Sequence, residues 1–225
     1  MIGIIAAMEK EVTNFLSLMG KYEEKKIHHL TFFIGKVGNN DIVLCVSGVG
    51  KVSSSMIVSI MIDHFPVEKI INIGVSGGFN VNCGDVVVGT KYSYADFDTS
   101  CFPMHEYGQV SGLPKFLDGD PDLIKKIKTD VVYGTILTGD KFFTSVEECN
   151  DIVNNHFKDD NVCAFDMEST ALAQACYLLN KPFVAIRAIS DVIGRKEDAT
   201  SRYMDYVEIA CKKANLVLFE ILKEL

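Results

Sequence analysis

Three acidic residues stand where predicted strands give way to the next element, a position from which a side chain can reach a bound molecule. Glu11, Glu168 and Asp191 each follow closely on an apolar run of the chain. Ligands of open α/β sheets bind beyond the carboxyl ends of the strands, so carboxyl groups placed there would face a ligand. A pair of such groups can act as a general acid and a general base.

Each acid also has a structural explanation when it is taken alone. Glu11 and Glu168 fall in the first turns of predicted helices, where a negative charge interacts favourably with the helix dipole. Asp191 could cap the turn after its strand. For Glu11 the local pattern by itself favours the structural role. The combination of these acids with two glycine-rich segments favours a site.

The segment from Ala164 to Gly194 positions two of the three acids. Apolar residues at helical spacing predict a helix over 169–179, which Pro182 prevents from continuing. The β-branched run 183–189 predicts a strand covered on both faces. Arg187 interrupts that run, and a buried guanidinium needs an anionic or carbonyl partner.

Two glycine-rich segments could bring backbone groups close to a ligand. SGVGKVSSS at residues 47–55 is not a P-loop, because Cys45 and Val52 occupy the positions of a required glycine and hydroxyl residue. It is interpreted as a turn into a helix over 51–64, whose free N–H groups could face a polar ligand, although a bare turn fits equally well. GVSGG at 74–78 is predicted to be a second turn.

The order of the predicted elements indicates an α/β domain. The strands are too apolar to be half exposed, which favours a mainly parallel or mixed central sheet, and no linker divides residues 1–225 into more than a single domain. Residues 95–119 look irregular, and a loop of this length is usually functional or at an interface. Strands are predicted at 2–6, 26–37, 41–47, 68–73, 86–96, 131–137 and 183–189, and helices at 8–19, 51–64, 122–128, 147–157, 169–179 and 203–221.

Composition argues against several classes of function. A net charge of −8 disfavours a nucleic-acid or anionic-membrane partner, and no apolar run is long enough to span a membrane. Arginine occurs only at 187, 195 and 202, so the first 186 residues hold no arginine cluster for phosphate. Seven scattered cysteines and a start, MIGIIAAMEKE, without a basic leader indicate a cytoplasmic protein with reduced thiols. No spacing of histidines suits a metal.

Eight short motifs occur in an order that is found in one known family. They are IGIIAAMEKEV, SGVGKV, GVSGG, GDVVV, EYGQ, TGDKFF, DMEST and RAISD. Over essentially its whole length the chain therefore resembles the 5′-methylthioadenosine/S-adenosylhomocysteine nucleosidases of the nucleoside phosphorylase superfamily. The resemblance implies a homodimeric α/β protein with a mixed, barrel-like sheet flanked by helices. It also implies hydrolysis of the adenine–ribose bond without a metal or cofactor.

The resemblance assigns roles to the residues at the strand ends. Glu11 matches the base that activates water, and Asp191 matches the acid that protonates adenine N7, with Ser190 as its orienter. Glu168 matches the carboxylate that holds the ribose hydroxyls, and Met167 packs on the sugar. For Asp191 to keep its proton near neutral pH, its pKa must be raised by burial or by neighbouring acids.

Further matches surround the base, the sugar and the 5′ substituent. Phe142 matches the ring that stacks on adenine, and Phe143 matches a residue that offers backbone hydrogen bonds to the base edge. The others are Met8 and Arg187 near the water and ribose, Val49 and Tyr203 at the wall of the 5′-thio pocket, and Phe102, which reaches across the dimer into the partner's site.

Three positions depart from the family pattern. Phe143 is bulky for its position, but a contact through its backbone tolerates that. Asp166 stands where many relatives have glutamate, and its side chain is one methylene shorter. Val75 stands where relatives often carry a small hydroxyl residue near the nucleophilic water. Positioning of the water is then expected to depend more on Glu11, Met8 and Arg187.

Two other functions fit parts of the pattern. A phosphorylase of the same superfamily would need several arginines to bind phosphate. The acidic Glu11 beside the nucleophile would also repel the phosphate. A nucleoside-binding module without catalysis would be expected to lack Glu11 or Asp191, and both are present. The residues leave open the choice among methylthioadenosine, adenosylhomocysteine, 5′-deoxyadenosine and 6-amino-6-deoxyfutalosine. Differences in an apolar pocket are worth only about 1 to 3 kcal/mol.

Overall fold

Strands and helices alternate along the chain, as the sequence predicts. The computed structural model describes the backbone of residues 1–194 and 199–225, and the side chains of 1–194 and 206–225. In chain order the elements are β1 (Ile2–Ala6), α1 (Glu9–Met19), β2 (Tyr22–Ile27), β3 (Leu30–Val37), β4 (Asn40–Val46), α2 (Lys51–His64), β5 (Lys69–Gly78), β6 (Val86–Tyr94), β7 (Leu117–Asp118), α3 (Pro121–Ile124), β8 (Val132–Thr138), α4 (Val146–His156), β9 (Val162–Asp166), α5 (Ser169–Leu178), β10 (Phe183–Val192) and α6 (Ala199–Glu224).

The strands of the described chain form one mixed sheet that closes on itself. β10 pairs in parallel with β5 and antiparallel with β6. β6 and β9 each pair in parallel with β8, and β9 returns to β5 in the antiparallel direction. β1, β4, β3 and β2 extend the sheet from β5 in that order. The mixed, barrel-like sheet implied by the family resemblance is therefore confirmed.

The pairing of β5 with β9 brings two strand ends of opposite direction to one place. Gly77 lies opposite Phe165, and Gly78 lies opposite Ala164. The last residue of β9, Asp166, is thus held close to the end of β5. This antiparallel pairing explains how acids at the ends of different strands can line one cavity.

Helices cover both faces of the sheet and bury its apolar side chains. α1 and α6 pack on one face, where Phe15 and Leu218 are fully buried. α2 and α5 pack on the other face, where Met61 and Leu172 are fully buried. A third cluster beneath α4 includes Phe143. None of the helices in the described part of the chain combines the length and apolar character that crossing a membrane requires.

The structure corrects three local predictions. The predicted strand over 26–37 is wrong, because a turn with His28 in the left-handed region (φ 55°) separates β2 from β3. The predicted turn at 74–78 is the last part of β5. The strand predicted at 183–189 continues to Val192, and its register with β5 shifts between Ile189 and Asp191. Such a bulge re-aims a side chain at the edge of a site.

Candidate active site

A cavity of about 230 Å³ lies beside the ends of β5, β9 and β10. Most of the residues that the sequence marks as site residues line it. They are Met8, Glu11, Val49, Val75, Phe142, Phe143, Asp166, Met167, Glu168, Ser190 and Asp191. A larger open groove of about 1020 Å³ runs between α1 and the β2–β3 hairpin, but its described titratable lining residues are all exposed. The smaller cavity, which has buried acids in its wall, is therefore the candidate active site.

Glu11 projects from the first turn of α1 and is only 3% exposed. Its Oε2 accepts hydrogen bonds from the backbone N–H groups of Ala7 and Met8, both at 2.9 Å. Its Oε1 accepts one from the N–H of Val75 at 3.1 Å. A carboxylate has about four acceptor positions, so the described residues occupy three and leave one. Glu11 therefore has a structural role in the first turn of α1 and also lines the cavity.

The protonation of Glu11 is governed by opposing effects. Burial raises the pKa of this carboxyl, while the charge of Arg187 and the three backbone N–H groups act to lower it. Gly74 allows the close approach of the two side chains, since a Cβ there would stand 2.8 Å from Oε1 of Glu11 and 3.2 Å from Nη1 of Arg187. Asn215 of α6 also holds the turn, donating from Nδ2 to the Glu11 carbonyl at 2.8 Å.

Asp191 lies at the bulge of β10 and is 1% exposed. Its Oδ1 accepts a hydrogen bond from the Ser190 hydroxyl at 2.8 Å. Its Oδ2 is buried and has no hydrogen-bond partner among the described residues. Burial raises the pKa of the Asp191 carboxyl, and the Ser190 hydrogen bond opposes that rise. The group is therefore arranged to hold a proton on Oδ2.

Glu168 stands at the start of α5 and faces the first turn of α2. Its Oε1 accepts a hydrogen bond from the N–H of Gly50 at 2.9 Å. Burial, followed by the neighbouring charge of Asp166, raises the pKa of Glu168 to about 7. Gly50 has a φ of 97°, which a residue with a side chain adopts only with strain. The free N–H groups predicted for residues 47–55 therefore do face a polar group, but that group is a side chain of the protein and not a ligand.

Arg187 lies behind the cavity wall, and each of its three side-chain nitrogens donates a hydrogen bond. Its Nε donates to Oδ2 of Asp166 at 2.8 Å, and its Nη2 donates to Oδ1 of Asn72. Asp166 also accepts hydrogen bonds from the hydroxyls of Thr138 and Ser169. The anionic partner that the sequence requires for a buried arginine is therefore Asp166, whose oxygens are largely taken up by these contacts.

Aromatic and apolar side chains form the rest of the wall. Phe143 is buried against Phe165, with ring centroids 4.9 Å apart, whereas Phe142 and Val49 are about half exposed at the cavity mouth. Lys141 also lines the cavity, and its Nζ lies 2.6 Å from a carboxylate oxygen of Glu148.

Among the predicted site residues whose side chains the structure describes, Phe102 and Arg187 do not line the cavity. Phe102 is 59% exposed on the long loop between β6 and β7 and does not line the cavity. The side chain of Tyr203 lies outside the described residues. Within the described residues no group of His, Cys, Asp and Glu is arranged to hold a metal ion.

Sequence reasoning missed several polar residues around the site. Asn72 interrupts the apolar run of β5 just as Arg187 interrupts that of β10, so its pattern carried the same signal. Asn215 was hidden in the apolar face of α6. Ser76 lines the cavity, and its buried Oγ has no hydrogen-bond partner among the described residues. Thr138 and Ser169 gave no signal beyond their places at element ends.

The closed mixed sheet with buried acids beside its strand ends defines a protein of the phosphorylase superfamily, and the model of that family matches residues 1–224. A 5′-methylthioadenosine/S-adenosylhomocysteine nucleosidase of Listeria monocytogenes is 36% identical over 99% of this chain and 98% of its own length. A solved nucleosidase of this name from Colwellia psychrerythraea, in complex with adenine, superposes with a TM-score of 0.93 at 32% identity, covering 100% of this chain and 95% of that one.

A third relative gives the same result. The S-adenosylhomocysteine nucleosidase of Streptococcus pyogenes, solved with 5-methylthiotubericidin, superposes with a TM-score of 0.92 at 35% identity, covering 100% of this chain and 96% of that one. The chain belongs to the family of 5′-methylthioadenosine/S-adenosylhomocysteine nucleosidases. The family resemblance of the sequence motifs is thereby confirmed.

Proposed function

We propose that this protein hydrolyses the N-glycosidic bond of 5′-methylthioadenosine and S-adenosylhomocysteine, releasing adenine and the 5-thio-substituted ribose, and that 5′-deoxyadenosine is also a substrate. The observation that carries the proposal is the pair of buried acids in one cavity. The described residues leave Glu11 a single acceptor position and leave Asp191 a buried oxygen without a hydrogen-bond partner. Their pairing supports acid–base cleavage of a glycosidic bond.

Asp191 supplies the proton in the proposed reaction. Adenine leaves poorly as an anion, so Asp191 gives its proton to N7 as the bond between C1′ and N9 breaks. Adenine leaves neutral, and Asp191 becomes a carboxylate that the Ser190 hydroxyl stabilises. The raised pKa of Asp191 supports this role, because an acid must still hold its proton at the pH of the reaction.

Glu11 supplies the base. A water bound at its remaining acceptor position gives a proton to Glu11 and forms a bond from its oxygen to C1′. Met8 and Val75 fix the carboxylate through their N–H groups, which supports precise aiming of the water. The Val75 side chain brings no hydroxyl to the water, so its backbone N–H acts through Glu11.

The remaining wall residues bind the rest of the nucleoside. Glu168 accepts hydrogen bonds from the ribose hydroxyls and stabilises the positive charge that develops on the sugar. Met167 packs on the sugar, Phe142 stacks on adenine, and the Phe143 backbone binds the base edge. Arg187 and Asp166 support this wall from behind. Val49 and Tyr203 border the 5′ substituent.

The charges around the cavity favour water over phosphate as the nucleophile. Among its described lining residues Lys141 is the one cation, and it is already paired with Glu148. Arg187 is engaged by Asp166 and Asn72. A phosphate beside buried Glu11 would meet a like charge without a bidentate arginine to offset it.

We also propose a homodimer formed through the face of α2 and α5. Val52, which is 77% exposed, and the exposed Met56 and Leu178 border a surface cavity of about 440 Å³ there. An exposed apolar patch of this kind marks an interaction surface. Phe102 and Met104 add exposed apolar surface on the β6–β7 loop, which supports the reach of Phe102 into the partner's site.

Light scattering after gel filtration tests the dimer. The wild-type protein is expected at twice the chain mass of 24.9 kDa. Leu178→Glu should give the monomer mass and lower the activity, whereas Leu216→Glu, on the exposed face of α6, should stay dimeric. A monomeric wild type would overturn the dimer proposal.

A cytoplasmic location is proposed from the thiols, since all seven cysteines are free in the structure. The enzymatic proposal is tested by release of adenine from methylthioadenosine in phosphate-free buffer, with the sugar product identified by chromatography. Adenine together with free methylthioribose supports it, and the absence of adenine overturns it.

A further inference from the structure

The N-terminus of α2 contacts Glu168, which lines the cavity, and Asp140, which lies next to the lining residues 141–143. The N–H of Gly50 donates to Glu168, and the next N–H, that of Lys51, donates to Oδ1 of Asp140 at 2.9 Å. Both are first-turn N–H groups, which a helix cannot satisfy internally and which bind carboxylates well. The distance between Glu168 and Asp140 is therefore set by one rigid helix end.

The Lys51 side chain closes a ring of charges with two aspartates. Its Nζ lies 2.8 Å from both carboxylate oxygens of Asp96 and 3.6 Å from Oδ2 of Asp140. The N–H of Asp140 donates to Oδ2 of Asp96 at 2.8 Å. The Lys51 and Asp96 side chains are 23% and 31% exposed, so water screens this pair less than a fully exposed one.

The charged ring fixes one end of the segment that carries the aromatic wall. Residues 139–143, here called the base loop, contain Asp140 and lead to Phe142 and Phe143. The N–H of Gly139 donates to the Asp166 carbonyl at 3.0 Å, and a Cβ at Gly139 would stand 2.8 Å from the Phe143 ring. The base loop is thus tightly packed at its start.

We propose that Lys51, Asp96 and Asp140 are positioning residues that hold the base loop at a fixed distance from Glu168. None of the three lines the described wall of the cavity, so they act on a ligand through the loop. The inference rests on the proposed function, in which the base loop binds adenine and Glu168 binds ribose. Without the Lys51 charge, the two aspartates repel each other and the loop moves.

The test compares Lys51→Met, Lys51→Arg and the wild type for adenine affinity by calorimetry, and for KM and kcat with methylthioadenosine. Lys51→Met should weaken adenine binding and raise KM by about tenfold each, with kcat changed less than about threefold, as expected when about 1.4 kcal/mol of binding is lost. Lys51→Arg keeps the charge and should stay within about twofold of the wild type in each measurement. A structural role alone would not separate KM from kcat.

A matched control and a second variant keep the test decisive. Lys36→Met removes a surface pair of the same 2.8 Å length on β3 and should change nothing. If Lys51→Met fails to fold, Asp96→Asn, which removes the anion that pairs with Lys51, should weaken adenine binding by about threefold. Unchanged adenine affinity in a folded Lys51→Met, or in Asp96→Asn, would overturn the inference. Adenine binding needs no turnover, so a wild type that binds adenine but cleaves nothing would refute the proposed function alone.

Discussion

Asp166, which lines the candidate active site, and Arg187, which lies behind its wall, form a buried ion pair with 2.8 Å between Oδ2 and Nε. Asn72 and Thr138 complete the hydrogen bonds of this pair from β5 and β8. Four strands of the closed ring, β5, β8, β9 and β10, are therefore joined beside the cavity. The carboxylate of Asp166 serves this connection.

Removal of Asp166 should destabilise the fold strongly. In Asp166→Ala the Arg187 guanidinium stays buried without its anion, which typically costs about 3 to 5 kcal/mol in the free energy of unfolding. Urea denaturation measures the loss. Asp159→Ala changes an exposed aspartate three residues beyond the end of α4 and should alter the free energy of unfolding by less than about 0.5 kcal/mol. A loss below about 1 kcal/mol for Asp166→Ala would mean that the pair is not a support of the sheet.

Glu11→Gln should lower kcat by at least about 10²-fold, because the amide cannot accept the proton of the water. Its NH₂ group must also face a backbone N–H, either of Val75 or of Ala7 and Met8, so a loss of stability of about 1 to 3 kcal/mol is expected as well. Steady-state kinetics and thermal unfolding separate the two effects. Glu9→Gln, the exposed acid of the same helical turn, is the control and should keep full activity. Near-normal turnover in Glu11→Gln would remove Glu11 from the mechanism.

Ser190→Ala should move the alkaline limb of the kcat/KM profile to higher pH. The Ser190 hydroxyl favours the ionised form of Asp191 and so lowers the pKa of that carboxyl. Its removal raises the pKa further, so Asp191 keeps its proton to a higher pH. The same profile for Asp191→Asn should show only a small residual rate. An alkaline limb that moves to lower pH in Ser190→Ala would contradict the assignment of Asp191 as the acid.

Much of the site could be predicted from the sequence because its acids sit at element ends. Rules of strand and helix patterning place Glu11, Glu168 and Asp191 there, and the cavity does bring these three together. The α/β class and the helix over 51–64 also follow from local periodicity, and the structure has α2 at those residues. Local signals suffice where the feature itself is local.

The parts that the sequence did not predict depend on long-range pairing. The pairing of β5 with β9 and with β10 decides which acid faces Arg187. The alternation of side chains along a strand does not specify which strands are neighbours. The bulge that aims Asp191 depends on the register with β5 in the same way. The turn at His28 escaped prediction because a histidine, and not a glycine, takes the left-handed conformation there.

The stability of the ligand-free protein should fall as the pH rises from about 4.5 through about 7. Burial raises the folded-state pKa of Glu168 to about 7 from its usual value of 4.5. Stability from a raised pKa is fully present below the unfolded-state value and is lost as the pH rises through the folded-state value. Glu168→Gln has no charge to bury, so it should be more stable than the wild type at pH 8 and similar to it at pH 4.5.

Thermal unfolding of both proteins across this pH range measures the difference. The exposed Glu147, in the first turn of α4, provides the control variant Glu147→Gln, whose melting temperature should follow the wild type at every pH. A difference between Glu168→Gln and the wild type that does not change with pH would show that Glu168 is ionised at the same pH in the folded and unfolded chain.

The most direct test of the central claim is adenine release from methylthioadenosine by the wild-type protein, followed by chromatography, in phosphate-free buffer and again with added phosphate. A cavity in which Glu11 activates water predicts adenine and free methylthioribose at the same rate in both buffers. Release that requires phosphate and yields a sugar phosphate would contradict the account, because the nucleophile would then be an anion that the charges around Glu11 are expected to exclude.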